Sequence, residues 1–169
     1  MIKKIQYKFK VEKDKTLNIA KLKNIKFGLT VKHIYTYFEI PNKDSSSFTV
    51  LRIKTSGGKE KIDMKIRDNN SAKWQHFESD ISDRKQMQSI LEHINCKVIF
   101  TFHKNRQTWI GDFIRLDLDT TKELGTFLEV KFDLKDRSKV ERFLQELDID
   151  PEKHDKRSVI EIYLEKYRN

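Results

Sequence analysis

From residue 4 to residue 133 most of the chain alternates with period two, and the polar half of that alternation is heavily cationic. Successive side chains of a strand point to opposite faces, so this pattern builds a sheet with one apolar and one polar side. Residues 4–11 set Ile5, Tyr7, Phe9 and Val11 against Lys4, Gln6, Lys8 and Lys10. Residues 61–67 set Ile62, Met64 and Ile66 against Lys61, Asp63, Lys65 and Arg67. Residues 113–118 and 127–133 repeat the pattern, with Ile114, Leu116 and Leu118, then Leu128, Val130 and Phe132, as apolar members. Further strands are predicted over 32–39, 48–54, 74–81 and 97–106. Gly57-Gly58 reads as a hairpin turn between two of them, with other turns at Gly111-Asp112 and Leu124-Gly125.

Helical spacing interrupts the alternation. After Asp83, a good N-cap residue, Met87, Ile90, Leu91 and Ile94 recur at i, i+3, i+4 and i+7. Val140, Phe143, Leu144 and Leu147 repeat that spacing after Asp136, and Pro151 closes the segment. A weaker helix is predicted over 14–26 from Leu17, Ile19, Leu22 and Ile25. Strand, helix, then three strands fill roughly 5–67, and the same order fills roughly 74–133. Helices follow over 136–167, within a single domain of 1–169. The sum is an α+β protein with a large, mainly antiparallel sheet.

Charge then limits the partners. The 169 residues carry 35 Lys and Arg against 26 Asp and Glu, so 35 − 26 gives +9. That excess points to anions: nucleic acid, a membrane surface or phosphorylated small molecules. No apolar run approaches the roughly 20 residues of a membrane span, and the basic N-terminus lacks the apolar core of a signal peptide. Cys96 is the only cysteine, so an internal disulfide and a multi-cysteine zinc site are excluded, and a cytoplasmic setting is expected. The five His lack HExxH spacing, and neither a Walker A loop nor GxGxxG occurs. Trp74, Trp109, Phe102 and Phe113 read as core, and His76 and His103 as structural or exposed. Two arrangements satisfy the cationic register. An open sheet shows it to water, or a closed one turns it inward beneath outer helices and removes the exposed edges.

Four segments carry a family resemblance. IQYKFKV at 5–11 resembles an opening strand with an ExExK signature. YTYFEIP at 35–41 followed by LRIK at 51–54 resembles second and third strands with a basic pair. FHKNRQTW at 102–109 resembles a KxR segment, and LDLDTTKELGTFLEVKF at 116–132 resembles an Asp before an LGxF(x)ExE strand. KWQHFESDISD at 73–83 is a weaker match to an Arg- and Glu-bearing strand. In this order they resemble the CYTH proteins, the triphosphate tunnel group of class IV adenylate cyclases and thiamine triphosphatases.

The resemblance implies a closed or nearly closed antiparallel β-barrel with helices packed outside. Its basic residues grip a triphosphate while carboxylates hold Mg²⁺ or Mn²⁺. Carried over by position, Lys8, Arg52, Lys54, Lys65, Lys104 and Arg106 are the phosphate-binding candidates. Asp119 and Glu129 are the metal candidates, and Glu78 and Glu129 the catalytic ones. The run RSVIEIYLEKY at 157–167 matches the closing helix. Lys4, Gln6 and Lys131 stand where the family has glutamates, so two positions have reversed sign, and an ammonium there repels a divalent ion. The tunnel then still holds an anion, with Lys4 and Lys131 in place of the missing cations, and loss of the metal is the other reading.

The expected ligand is a nucleoside triphosphate or other organic polyphosphate, cyclised or hydrolysed. The alternative is a sensor that binds it without turnover. A nucleic-acid binder ranks last, because no RNA-binding signature such as RGFGFVxF is present. No membrane partner is expected, and nothing in the sequence demands an oligomer.

Overall fold

The computed structural model describes residues 4–12, 25–41, 46–68 and 75–167. They form eight strands and three α-helices, in a chain that divides into two compact units. Unit 1 comprises Met1–Val31 and Lys104–Asn169, and unit 2 comprises Lys32–His103. The hydrogen-bonded strand series is β1-β8-β7-β6-β2-β3-β4-β5, and among the described residues hydrogen bonds do not close it on itself. Two long strands, β2 (Lys26–Glu39) and β6 (Lys97–Ile110), contribute residues to both units.

In unit 1, β1 (Lys4–Val11), β7 (Arg115–Thr121) and β8 (Gly125–Asp133) pair antiparallel. The register sets Lys8 opposite Glu129, Asp117 opposite Glu129, and Arg106 opposite Asp119. The apolar register, with Tyr7, Phe9, Leu116, Leu128 and Val130 among its members, packs against Val140 and Leu144 of α2 (Arg137–Glu146). Leu116, Leu128 and Leu144 are fully buried, each contributing about 1.5–3 kcal/mol. Trp109 and Phe113 join this core, as expected. A 3-10 turn over Leu134–Asp136 leads into α2, where Asp136 makes no side-chain cap and instead accepts from Lys139 at 3.2 Å.

Pro151 opens a second 3-10 turn, Pro151–Lys153, before α3 (Val159–Tyr167). The segment between them lies along β1, the terminal strand of the series. Tyr7 stacks on His154 at 4.4 Å, and the Asp155 N–H donates to the Lys8 carbonyl at 2.7 Å. A backbone group of a terminal strand is thereby satisfied within the unit.

In unit 2, β3 (Ser47–Ser56), β4 (Lys59–Asp68) and β5 (Gln75–Asp80) continue the antiparallel series. Gly57 and Gly58 take φ of +56° and +78°, and two consecutive left-handed residues give the twist that a two-residue hairpin requires. Helix α1 (Arg84–His93) starts where Asp83 accepts from the Gln86 N–H at 3.0 Å. It buries Leu91 against Phe38, Leu51 and Ile53, with Cys96 just beyond its end. In each unit, therefore, the helix covers the apolar register and leaves the ionic register on the other side.

The strands expected from alternation are all present, several of them longer, although the one expected over 113–118 starts at Arg115 and the one over 74–81 spans Gln75–Asp80. β2 begins at Lys26, so the last residue of the helix predicted over 14–26 is in a strand; residues 14–24 of that prediction, and Trp74, lie outside the described residues. A Cβ at Gly28 would lie 3.4 Å from the Thr108 carbonyl oxygen, which marks the close approach of β2 and β6 there. Among the described residues no helix is long and apolar enough to cross a membrane.

Candidate functional site

Each unit carries one ionic cluster on its polar register. In unit 1 the centre is Arg106 on β6. Its Nε and Nη2 donate to the two oxygens of Asp119, both at 2.6 Å, and Nη2 also reaches Glu129 at 2.9 Å. Nη1 lies 3.3 Å from Asp117. Lys104 adds a bond to Asp119 at 2.9 Å. Lys131 donates to Asp117 at 2.8 Å and approaches Glu129 at 3.4 Å. The remaining Asp117 oxygen accepts from Thr108 at 2.7 Å and Arg115 at 3.0 Å.

Two effects compete at these acids. Burial pushes the Asp117 carboxyl up, but the guanidinium of Arg106 and the ammonium of Lys131 outweigh it and hold it down at about 2. Burial likewise opposes ionisation of Asp119, and Arg106 and Lys104 overcome it, so its pKa is lowered. Burial lowers the pKa of Lys104, against the pull of Asp119. Three carboxylates (Asp117, Asp119, Glu129) meet four cations (Lys104, Arg106, Arg115, Lys131), so 4 − 3 leaves one positive charge in excess. Lys8 faces Glu129 across the ladder but donates its ammonium to the Arg157 carbonyl. Burial lowers its pKa, against Asp155 and Glu129.

In unit 2 the centre is a carboxylate, Asp63 on β4, which is fully buried. It accepts from Arg52 at 2.8 Å and from Lys54 at 3.3 Å, and it contacts His76 Nε2. Burial raises its pKa, and Arg52 leads the partners that bring it below the ordinary value. Arg52 is held from above as well: its guanidinium sits 4.8 Å over the Tyr35 ring and donates to the Tyr37 hydroxyl at 3.2 Å. Glu78 contacts Lys54 and accepts from Lys61 at 2.7 Å, and these two ammoniums hold it at about 2. Lys54, Lys61, Glu78 and Tyr35 line a depression of about 230 Å³. Lys65 sits one step along β4, opposite His76.

Asp63, His76 and Glu78 each bring a ligand atom within 4.8 Å of the others, a group that could hold a metal ion. Lys54 reaches both carboxylates of that group.

The sequence-derived candidates therefore fall into two sets. Lys104, Arg106, Asp119 and Glu129 meet in unit 1, with Lys8 turned toward the C-terminal segment. Arg52, Lys54 and Glu78 meet in unit 2 around Asp63, with Lys65 beside them. Asp63, Lys61, Asp117 and Arg115 were absent from the candidate sets. Their parity was the available signal: Lys61 and Asp63 share the register of Lys65, and Asp117 and Arg115 share that of Asp119.

The sequence matches the CYTH domain family over residues 3–159. No curated protein matches it. Among solved structures, a conserved hypothetical protein from Pyrococcus furiosus superposes with a TM-score of 0.74 at 20% identity, covering 94% of this chain and 99% of that one. A candidate adenylate cyclase from Vibrio parahaemolyticus gives 0.71 at 18%, covering 95% and 97%. A candidate adenylyl cyclase from Hippeastrum, described as revealing a dominant triphosphatase activity, gives 0.70 at 17%, covering 98% and 96%. At such identities the likeness is one of fold.

Proposed function

The chain belongs to the CYTH domain family, and from that premise we propose that it binds a nucleoside triphosphate or another organic polyphosphate in a β-tunnel formed by closure of its sheet. The observation that carries this reading is the positive charge in excess at the cluster of unit 1, with Arg52, Lys54 and Lys61 gathered on the polar register of unit 2. Cations buried on a sheet face at the expense of hydration are tolerated when carboxylates or a polyanion compensate them, and here the carboxylates fall short. Arg52 and Arg106 offer planar forks to phosphate oxygens, and Lys54, Lys65 and Lys104 act as point charges. Lys8 joins them once the Arg157 carbonyl releases it. The single cysteine, buried as Cys96, suits a cytoplasmic setting.

Of the catalytic candidates, Glu78 is a weak proton acceptor at neutral pH because Lys54 and Lys61 hold it at about 2, far from the operating range of a general base. Its role is to position those lysines. Glu129, with Asp119, orients Arg106 in the same way. Asp63, His76 and Glu78 would hold Mg²⁺ or Mn²⁺ only once Arg52, Lys54 and Lys61 release the carboxylate oxygens they now occupy, and an imidazole ligand favours Mn²⁺ of the two. A second reading, binding without cyclisation or hydrolysis, is favoured by the occupation of these carboxylates by the chain's own cations.

Thermal-shift measurements with ATP, thiamine triphosphate, tripolyphosphate and oligonucleotides, each with and without Mn²⁺, test the proposal. Stabilisation by the triphosphates is expected. Metal-dependent stabilisation followed by release of phosphate or pyrophosphate identifies an enzyme, and stabilisation without release identifies a sensor. A response to oligonucleotides alone would discard the tunnel reading.

A further inference from the structure

The carboxylates of unit 1 do not fit a divalent ion. Both oxygens of Asp119 are taken by the Arg106 fork, and one of them also by Lys104. Both oxygens of Asp117 have cationic partners, Arg115 on one and Lys131 and Arg106 on the other. A hard divalent ion needs deprotonated oxygens with lone pairs to spare and an excess of negative charge. This cluster offers an excess of positive charge.

Within it, Lys131 differs from its neighbours. Arg106 and Lys104 are largely enclosed, whereas the side chains of Lys131 and Arg115 are 32% and 48% exposed, and of these two only Lys131 reaches a second carboxylate. Its ammonium spans two carboxylates on adjacent strands, Asp117 on β7 and Glu129 on β8, which are opposite each other in the ladder. A compact charge with three donors, bridging two carboxylates from the solvent-accessible side, is placed as a bound cation would be. We propose that Lys131 is the resident substitute for a divalent cation between Asp117 and Glu129. Unit 1 accordingly engages phosphate-bearing anions without metal, and reversing the charge at 131 converts the cluster into a divalent-ion site. The phosphate part of this inference rests on the binding function proposed above; the cation part does not.

The test counts Mn²⁺ per chain by electron paramagnetic resonance in the wild type and in Lys131→Glu, then measures tripolyphosphate affinity in EDTA and in Mn²⁺ by calorimetry. Counting the difference removes any ion held by Asp63, His76 and Glu78. Lys131→Glu is expected to bind one Mn²⁺ more than the wild type. Wild-type affinity for tripolyphosphate is expected to be the same in EDTA and Mn²⁺, and that of the variant at least tenfold weaker in EDTA than in Mn²⁺. Lys131→Met, which keeps the stem and loses the charge, is expected to weaken metal-free affinity at least tenfold and stands in if Lys131→Glu does not fold. An unchanged Mn²⁺ count in Lys131→Glu, a wild type that needs Mn²⁺, or an unaffected Lys131→Met overturns the inference. If tripolyphosphate binds none of the three proteins under either condition, the proposed function fails and the Mn²⁺ count alone decides on Lys131.

Discussion

Unit 1 organises its charges around an arginine, and unit 2 organises its charges around an aspartate. Arg106 touches three carboxylates, whereas Asp63 touches Arg52, Lys54 and His76. Both centres hold buried acids, Asp117 and Asp119 in unit 1 and Asp63 in unit 2, but the second acid of unit 2, Glu78, keeps 28% of its side-chain surface exposed. The same alternating register thus yields two electrostatic designs. In the first a guanidinium is pinned by acids, and its removal strands them in a low dielectric. In the second an acid gathers Arg52 and Lys54 from β3 and the imidazole of His76 from β5, and the outer members keep solvent contact and contribute little to stability.

The largest expected effect breaks the first design. Arg106→Ala should destabilise the fold by about 3–5 kcal/mol, since buried Asp119 loses both bonds of the fork and Asp117 and Glu129 each lose a partner. Arg52→Ala should cost less, about 1–3 kcal/mol, because Asp63 keeps Lys54 and His76. Denaturant unfolding measures both. Equal losses would erase the contrast between the units.

Next comes acid. Asp117 is held at about 2 instead of the ordinary 3.8, so its ionised form stabilises the folded chain. That contribution is fully present above the ordinary carboxylate range and is lost as pH falls through the range toward 2, amounting to roughly 2 kcal/mol. Glu78, also at about 2, loses its contribution over the same window, and solvent screening makes it smaller. Unfolding at pH 5 and pH 2 in Asp117→Asn and Glu78→Gln should show the flatter profile in Asp117→Asn. The smallest effect is Lys61→Ala, whose side chain is 34% exposed, expected to leave the denaturant midpoint almost unmoved. A larger loss would mean that unit 2 relies on its rim as unit 1 relies on its centre.

What the sequence discloses follows from which forces are local. A residue's face depends on its parity within a strand, so the ionic register of Lys8, Arg52, Lys54, Lys104 and Arg106 was legible before any coordinates. Asp83 announced α1 because capping is a bond to a residue three positions on. Partner choice was not legible, because it depends on which strands adjoin and on their offset. Arg106 meets Asp119 directly across the ladder but reaches Asp117 and Glu129 only on the diagonal or one strand further. The capture of the Lys8 ammonium by the Arg157 carbonyl joins residues 149 positions apart. The first part of β2 was missed for another reason: Gly28 weakens the strand pattern locally, and its justification lies on β6, at Thr108.

Calorimetric titration of tripolyphosphate into the wild type, Arg52→Glu and Lys104→Glu tests the central proposal most directly, one substitution falling in each unit. With the circular dichroism of both variants unchanged, saturable binding by the wild type and its abolition in each variant is the predicted result. Wild-type affinity retained by both would contradict it, because the ligand would then owe nothing to either cationic register.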